Sequence, residues 1–196
     1  MKVAPEITAV RNVAHRQLVD RARRWLKASG CKLVLAELVA ESEIPDVIGW
    51  RGETSMVVEC KTSRADFRAD AQKPFRLSPE SGMGQLRYYF CPLGVIRPED
   101  LPPKWGLLYV DRGKVTIERG PDPTCWPGNF FDAYSFKDRN SKGETRMLLS
   151  AVGRMRKGLG VKEFERLIHR PYFEPKNEPQ TPLRSEEGAL GWINNQ

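Results

Sequence analysis

Between residues 9 and 29 the apolar positions fall three and four apart, at Val10, Val13, Ala14, Leu18, Ala22, Trp25 and Leu26, with arginines between them. This spacing predicts an amphipathic helix with an Arg-rich outer face; Thr8 reads as its N-cap and Gly30 as its stop. The pattern then changes to runs of branched and apolar residues. KLVLAELVA (32–40), DVIGW (46–50) and SMVVECK (55–61) predict three strands, the last two joined by the turn-like RGET. Ser63 and Asp66 have the spacing of a capping-box relative, so a helix is expected to run through ADFRADAQKPF until Pro74 or Pro79 stops it. After the Gly-rich SGMGQ, the runs LRYYFCP, WGLLYVD and KVTIERG predict three more strands, with a Pro-rich connector and a turn at DRGK.

Residues 121–143 are rich in Pro, Asp and Asn yet contain Trp126, Phe130, Phe131, Tyr134 and Phe136, and are expected to form an irregular loop packed by its aromatics. Residues 144–170 have a helical pattern that glycines should split in two, and residues 171–196 are expected to be an extended tail. The chain thus divides into a core over 1–120, an aromatic loop and helical extension over 121–170 packed on the same domain, and the tail. Helix, three strands, helix and further strands in that order predict an α/β class, with a mixed sheet flanked by helices.

With 196 residues, 40% of them hydrophobic, the chain can bury one real core. It has no apolar run of membrane-spanning length, and MKVAPEITAVRN lacks the apolar stretch of a secretory signal, so a cytoplasmic protein without membrane contact is expected. Cys31, Cys60, Cys91 and Cys125 form no CxxC or Cys/His cluster, which argues against zinc and for reduced thiols that pack as small apolar groups. A formal charge of +7 favours a polyanionic partner.

The chemistry is concentrated in MVVECKT. Side chains alternate along a strand, so Val57, Glu59 and Lys61 share one face while Met56, Val58 and Cys60 share the other. Asp46 starts the preceding strand, and a hairpin through RGET would bring it to Glu59. Two carboxylates beside an ammonium suit phosphodiester hydrolysis with Mg²⁺ or Mn²⁺: oxygens to hold the cation, and a positive group to position water or offset charge on the phosphate. The backbone carbonyl of Cys60 is a further oxygen within that segment.

Pro45-Asp46 followed by Glu59-Cys60-Lys61 on the next strand, between an N-terminal helix and a second helix, resembles the motif of the PD-(D/E)XK nuclease superfamily. The resemblance covers residues 9 to about 110 and implies a restriction-endonuclease-like core of αβββαβ order with a helical C-terminal extension. It implies Asp46 and Glu59 as ligands of a catalytic Mg²⁺ or Mn²⁺, Lys61 as the catalytic cation, and DNA as substrate. ECKTSRADFRAD is similar to the corresponding stretch of MmcB-type DNA-repair nucleases, and Gln85 with Tyr89 resembles the Q-x-x-x-Y element of RecB-like exonucleases.

Other residues have two readings each. Glu37 is a third metal ligand or one half of a strand-end salt bridge; Glu41 and Glu43 read as solvated charges. The first helix offers His15, Gln17 and Asp20 where the superfamily sometimes places an acid, and His169 reads as a surface or capping residue. Gln85 orients substrate or makes a loop contact. Arg64, Lys73, Arg76 and Arg87 surround the acids in sequence and are expected, with Gln85, to meet nucleic acid, the cations through its phosphates. A non-catalytic nucleic-acid-binding module on the same fold is the alternative, and an assembly subunit using the aromatic loop a third. A homodimer is left open, since no heptad pattern marks an apolar seam.

Overall fold

The computed structural model describes residues 5–125 and 128–169. Helix α1 (Pro5–Ala28) precedes strands β1 (Leu33–Ala36), β2 (Val47–Arg51) and β3 (Thr54–Cys60). Short helices α2 (Arg64–Asp70) and α3 (Pro74–Leu77) lead to β4 (Leu86–Pro92), β5 (Trp105–Asp111) and β6 (Lys114–Arg119), and helices α4 (Gly128–Tyr134), α5 (Ser141–Leu159) and α6 (Val161–Ile168) follow. The class is α/β with a mixed sheet, as the alternation of patterns predicts.

The six strands lie in sequence order across one sheet. β1 to β3 form an antiparallel meander, β3, β4 and β5 are parallel, and β6 returns antiparallel to β5. The parallel pairs need crossovers, which α2 with α3 and the 93–104 connection supply. Alternation along the strands builds two cores. On one face Met56, Val58, Cys60, Tyr88, Phe90 and Leu108 pack with Leu18, Val19, Ala22 and Leu26 of α1. On the other, Val57 and Ile48 pack with Met147 of α5, and Tyr89, Cys91, Leu107 and Tyr109 with Phe67 of α2.

Several boundaries depart from the sequence reading. α1 begins at Pro5, so Thr8 lies within it rather than at its cap, whereas Ser63 does cap α2 through a 3.2 Å bond from the Asp66 amide. Pro74 opens a new helix instead of only ending the previous one, because a missing N–H costs nothing in a first turn. β1 ends at Ala36, leaving Glu37 outside it with φ 48. The stretch read as an irregular loop contains α4, and the helical pattern breaks only at Gly160, whose φ of 79 is open to glycine at little cost. By contacts the chain forms two units, Met1–Met155 and Arg156–Gln196. The expected tail lies outside the described residues.

Candidate functional site

Val47 pairs with Val58, so one step outward Asp46 stands across from Glu59 at the end of the sheet where β3 finishes. Asp46 Oδ2 accepts a 2.7 Å hydrogen bond from the Cys60 amide, which fixes the carboxylate against the strand that carries Glu59 and Lys61. Its other oxygen faces His15 Nε2 at 3.4 Å, and Glu37 Oε1 approaches the same nitrogen at 3.6 Å. The Asp46 hydrogen bond raises the His15 pKa; burial opposes the rise, and the negative charges of Asp46 and Glu37 add to it. The first helix therefore contributes a base to this corner, and Glu37 joins it from a loop rather than from a strand face.

Behind Asp46 lies a buried ionic network. Lys61 Nζ is 3.1 Å from Glu59 Oε2, the same-face contact that strand alternation predicts, and 3.1 Å from Asp70 Oδ1 at the end of α2. Arg76 Nη2 lies 2.9 Å from Glu59 Oε1, its Nε 2.8 Å from Asp70 Oδ2, and its Nη1 2.8 Å from Glu43 Oε1. The Tyr89 hydroxyl donates to Asp70 Oδ2 at 2.9 Å, and the Met83 amide donates to Glu43 Oε2 at 2.6 Å. The Arg76 guanidinium lies between two rings, 4.8 Å from Phe75 and 4.7 Å from Trp105.

Burial and charge compete at each member. Burial raises the Glu59 pKa, and Lys61 and Arg76 pull against it. At Lys61 burial opposes the charge, but Glu59 and Asp70 overcome it and hold the ammonium protonated. Burial would raise the Asp70 pKa, yet Lys61 and Arg76 drive it well below the usual carboxylate range. An ammonium and guanidinium this deep are tolerable because each has carboxylate partners.

The expected nucleic-acid contacts divide. Arg76 and Arg87 are only 3% and 1% exposed. Arg87 donates to the carbonyls of Gly84, Pro79 and Gly82 and lies 3.9 Å from the Phe136 ring, and burial pushes its pKa down to about 10. Both arginines hold the fold, so their assignment as phosphate contacts is corrected. Arg64 is engaged by Asp100 at 2.7 Å, while Lys73, near Asp70, keeps 44% of its side chain exposed. Gln85 donates to Ser135 Oγ at 3.2 Å, the loop contact rather than a position beside Asp46.

Sequence reasoning missed Asp70 and misjudged Glu43, which is 1% exposed rather than solvated. Asp70 had one signal: it closes the ADFRAD turn of helix that begins after Lys61, so one helical span returns it to the lysine. Cys60 turns its thiol into the α1 core, so only its backbone faces the acids.

Among the described residues no three His, Cys, Asp or Glu side chains are grouped to hold a metal ion. Mg²⁺ characteristically uses one or two carboxylates and takes its remaining ligands from water and substrate phosphate. Asp46 and Glu37, whose oxygens face one imidazole, supply two hard donors of that kind. Glu59 already receives Lys61 and Arg76, though an ionised carboxylate retains further lone pairs. Asp46 and Glu37 thus offer two hard oxygen donors at one corner, both facing the His15 imidazole.

No protein-family model matches the sequence, and no curated protein matches it. A solved structure, the SPO1766 protein of unknown function from Silicibacter pomeroyi, is similar at 25% identity, covering 76% of this chain and 92% of that one with a TM-score of 0.51. The likeness bears on the fold and carries no activity with it. Among the described residues no helix is long and apolar enough to cross a membrane.

Proposed function

We propose that this protein is a divalent-metal-dependent nuclease acting on DNA, with its chemistry at Asp46, Glu59 and Lys61. The observation that carries the reading is the position of Asp46: across from Glu59, bonded to the Cys60 amide, and beside a buried lysine held protonated. The resemblance to the PD-(D/E)XK motif supports the same assignment. Asp46 would anchor Mg²⁺ or Mn²⁺ with Glu59 or Glu37 as a second carboxylate, and water and substrate phosphate would complete the shell. When bound there, the cation would supply Lewis acidity toward the phosphoryl oxygen and a water nucleophile.

The chain's own groups do the rest. Asp46 is oriented by a backbone donor that costs no side-chain entropy, and Lys61 presents positive charge where negative charge builds on the phosphate. Asp70 pairs with Lys61 and is itself fixed by the Tyr89 hydroxyl, which positions the ammonium.

The second reading is a nucleic-acid-binding module without chemistry. It is favoured by one observation: both Glu59 oxygens already have cationic partners, as expected of a purely structural ion network. Cleavage of plasmid, linear duplex, single-stranded and branched DNA, and of RNA, with Mg²⁺, Mn²⁺ or chelator separates the two. Wild type should cleave only with metal, and Asp46→Asn, which keeps an acceptor for the Cys60 amide, should lose on the order of 100-fold or more while melting like wild type. Full activity in Asp46→Asn and in Lys61→Ala would refute the nuclease reading; binding without cleavage by wild type would favour the module.

A further inference from the structure

With Arg76 and Arg87 buried, Lys73 is the expected cation most open beside the acids, and a further group of cations lies elsewhere. Arg21 and Arg24 of α1 border a recess of about 490 Å³ whose other walls are Trp25, Ala28, Gly113 and Val115. Arg112 and Lys114 flank Gly113 in the β5–β6 turn, and both are exposed. Helix and turn meet here, since a Cβ added at Gly113 would lie 3.5 Å from Arg21 Nη1. Trp25 is held edge-on against Tyr88, with ring centroids 5.3 Å apart, and forms a rigid wall. The acids nearby are few: Asp20, which lies 3.4 Å from Arg23, and Asp111, across the turn from Lys114. The balance is positive.

The turn itself supplies an independent observation. Arg112 and Gly113 have φ of 45 and 88, the left-handed pair of a two-residue hairpin turn in which Asn-Gly or Gly-Gly is relaxed. An arginine in the first position is strained, and strain retained at an exposed tip points to a use for the side chain.

Register places this feature relative to the acids. Cys60 is level with Phe90 and Phe90 with Leu108, so the turn stands at the end of the sheet that carries Asp46 and Lys61. Its tip is displaced by two strand spacings, about 10 Å, and projects about 13 Å beyond the level of Cys60. We infer that Arg21, Arg24, Arg112 and Lys114 form a shelf that grips the sugar-phosphate backbone of the nucleic acid whose scissile bond lies at Asp46. The inference rests on the nuclease reading. The contacts are to phosphate, so the shelf positions the strand without reading its bases.

The test is binding of fluorescent duplex and single-stranded oligonucleotides in chelator, over about 50 to 200 mM salt, with counterion release as the readout. The variants are Arg112→Gly, the double variant Arg21→Ala/Arg24→Ala, and Lys32→Ala, which removes one charge from an exposed residue at the opposite end of the sheet. Each shelf cation removed should lower the slope of log K against log salt by about one, roughly a three- to fourfold effect across that range. Arg112→Gly should also melt at or above the wild-type temperature, which a merely structural role for Arg112 would reverse. If wild type binds and the shelf variants behave like Lys32→Ala, the shelf is wrong and the nuclease reading stands. If wild type binds neither strand form, the nuclease reading falls and the shelf with it. Displacement of the oligonucleotide by polyglutamate at equal charge concentration would also overturn the proposal, marking a site for acidic protein segments instead.

Discussion

Asp70 Oδ1 lies 3.1 Å from Lys61 Nζ, joining the end of α2 to the lysine that follows β3. The pair has a stability consequence with a definite sign. Because Lys61 and Arg76 depress the Asp70 pKa, its stabilising contribution is fully present above the unfolded value, about 3.9, and is lost as pH falls through the folded one. Asp70→Asn should cost about 3 to 5 kcal/mol at neutral pH by leaving buried cations under-compensated. That deficit should shrink as pH drops below about 4. Urea melts of both proteins between neutral pH and the acid limb would check it; a deficit constant with pH would contradict the assignment.

Arg76 and Lys73 both approach Asp70 but should behave differently. Arg76 binds three carboxylates between two rings, so Arg76→Ala should destabilise by about 3 to 5 kcal/mol. Lys73 is 44% exposed, and Lys73→Ala should cost no more than about 1 kcal/mol. Thermal unfolding of the two variants would decide it, and equal losses would mean that the network is less buried than described.

The contrast shows what the sequence could convey. Strand period two placed Glu59 and Lys61 together, and a short turn between adjacent strands was enough to set Asp46 opposite Glu59. Both are local consequences of backbone geometry. The fate of Arg76 depends on Glu43, 33 residues earlier, and on Trp105, which arrives from β5. Arg87 is likewise enclosed by the 79–84 segment folding over it. No periodicity encodes such closures, so cations near the acids in sequence read as surface groups. Strain was equally hidden, because Glu37 and Arg112 look ordinary until their φ values are known.

The thiols offer a test of the packing. Cys31, Cys60 and Cys91 are buried and Cys125 is exposed. Burial pushes the Cys31 and Cys91 thiols up to about 11 and Cys60 well above its ordinary value, which suppresses the reactive thiolate. A chromogenic disulfide reagent should titrate Cys125 rapidly in native protein and the other three only in denaturant. Rapid native labelling of Cys125→Ser would show that the core opens readily on the α1 face, which holds Cys31 and Cys60, or on the opposite face, which holds Cys91.

Glu37 makes the two readings of the acid corner experimentally separable. It adopts φ 48 just past β1, its amide donates to the Asp46 carbonyl at 3.1 Å, and its side chain is 53% exposed. A left-handed glutamate costs about 1 to 2 kcal/mol that glycine avoids, so Glu37→Gly should raise stability if backbone strain outweighs the contact with His15. If Glu37 also helps hold the cation, the same variant should need more Mn²⁺ for half-maximal cleavage and bind Mn²⁺ more weakly in calorimetry. Greater stability with unchanged Mn²⁺ affinity would assign Glu37 to the His15 contact alone and leave Asp46 as the anchoring carboxylate. Lower stability would mean that the contact with His15 exceeds the strain.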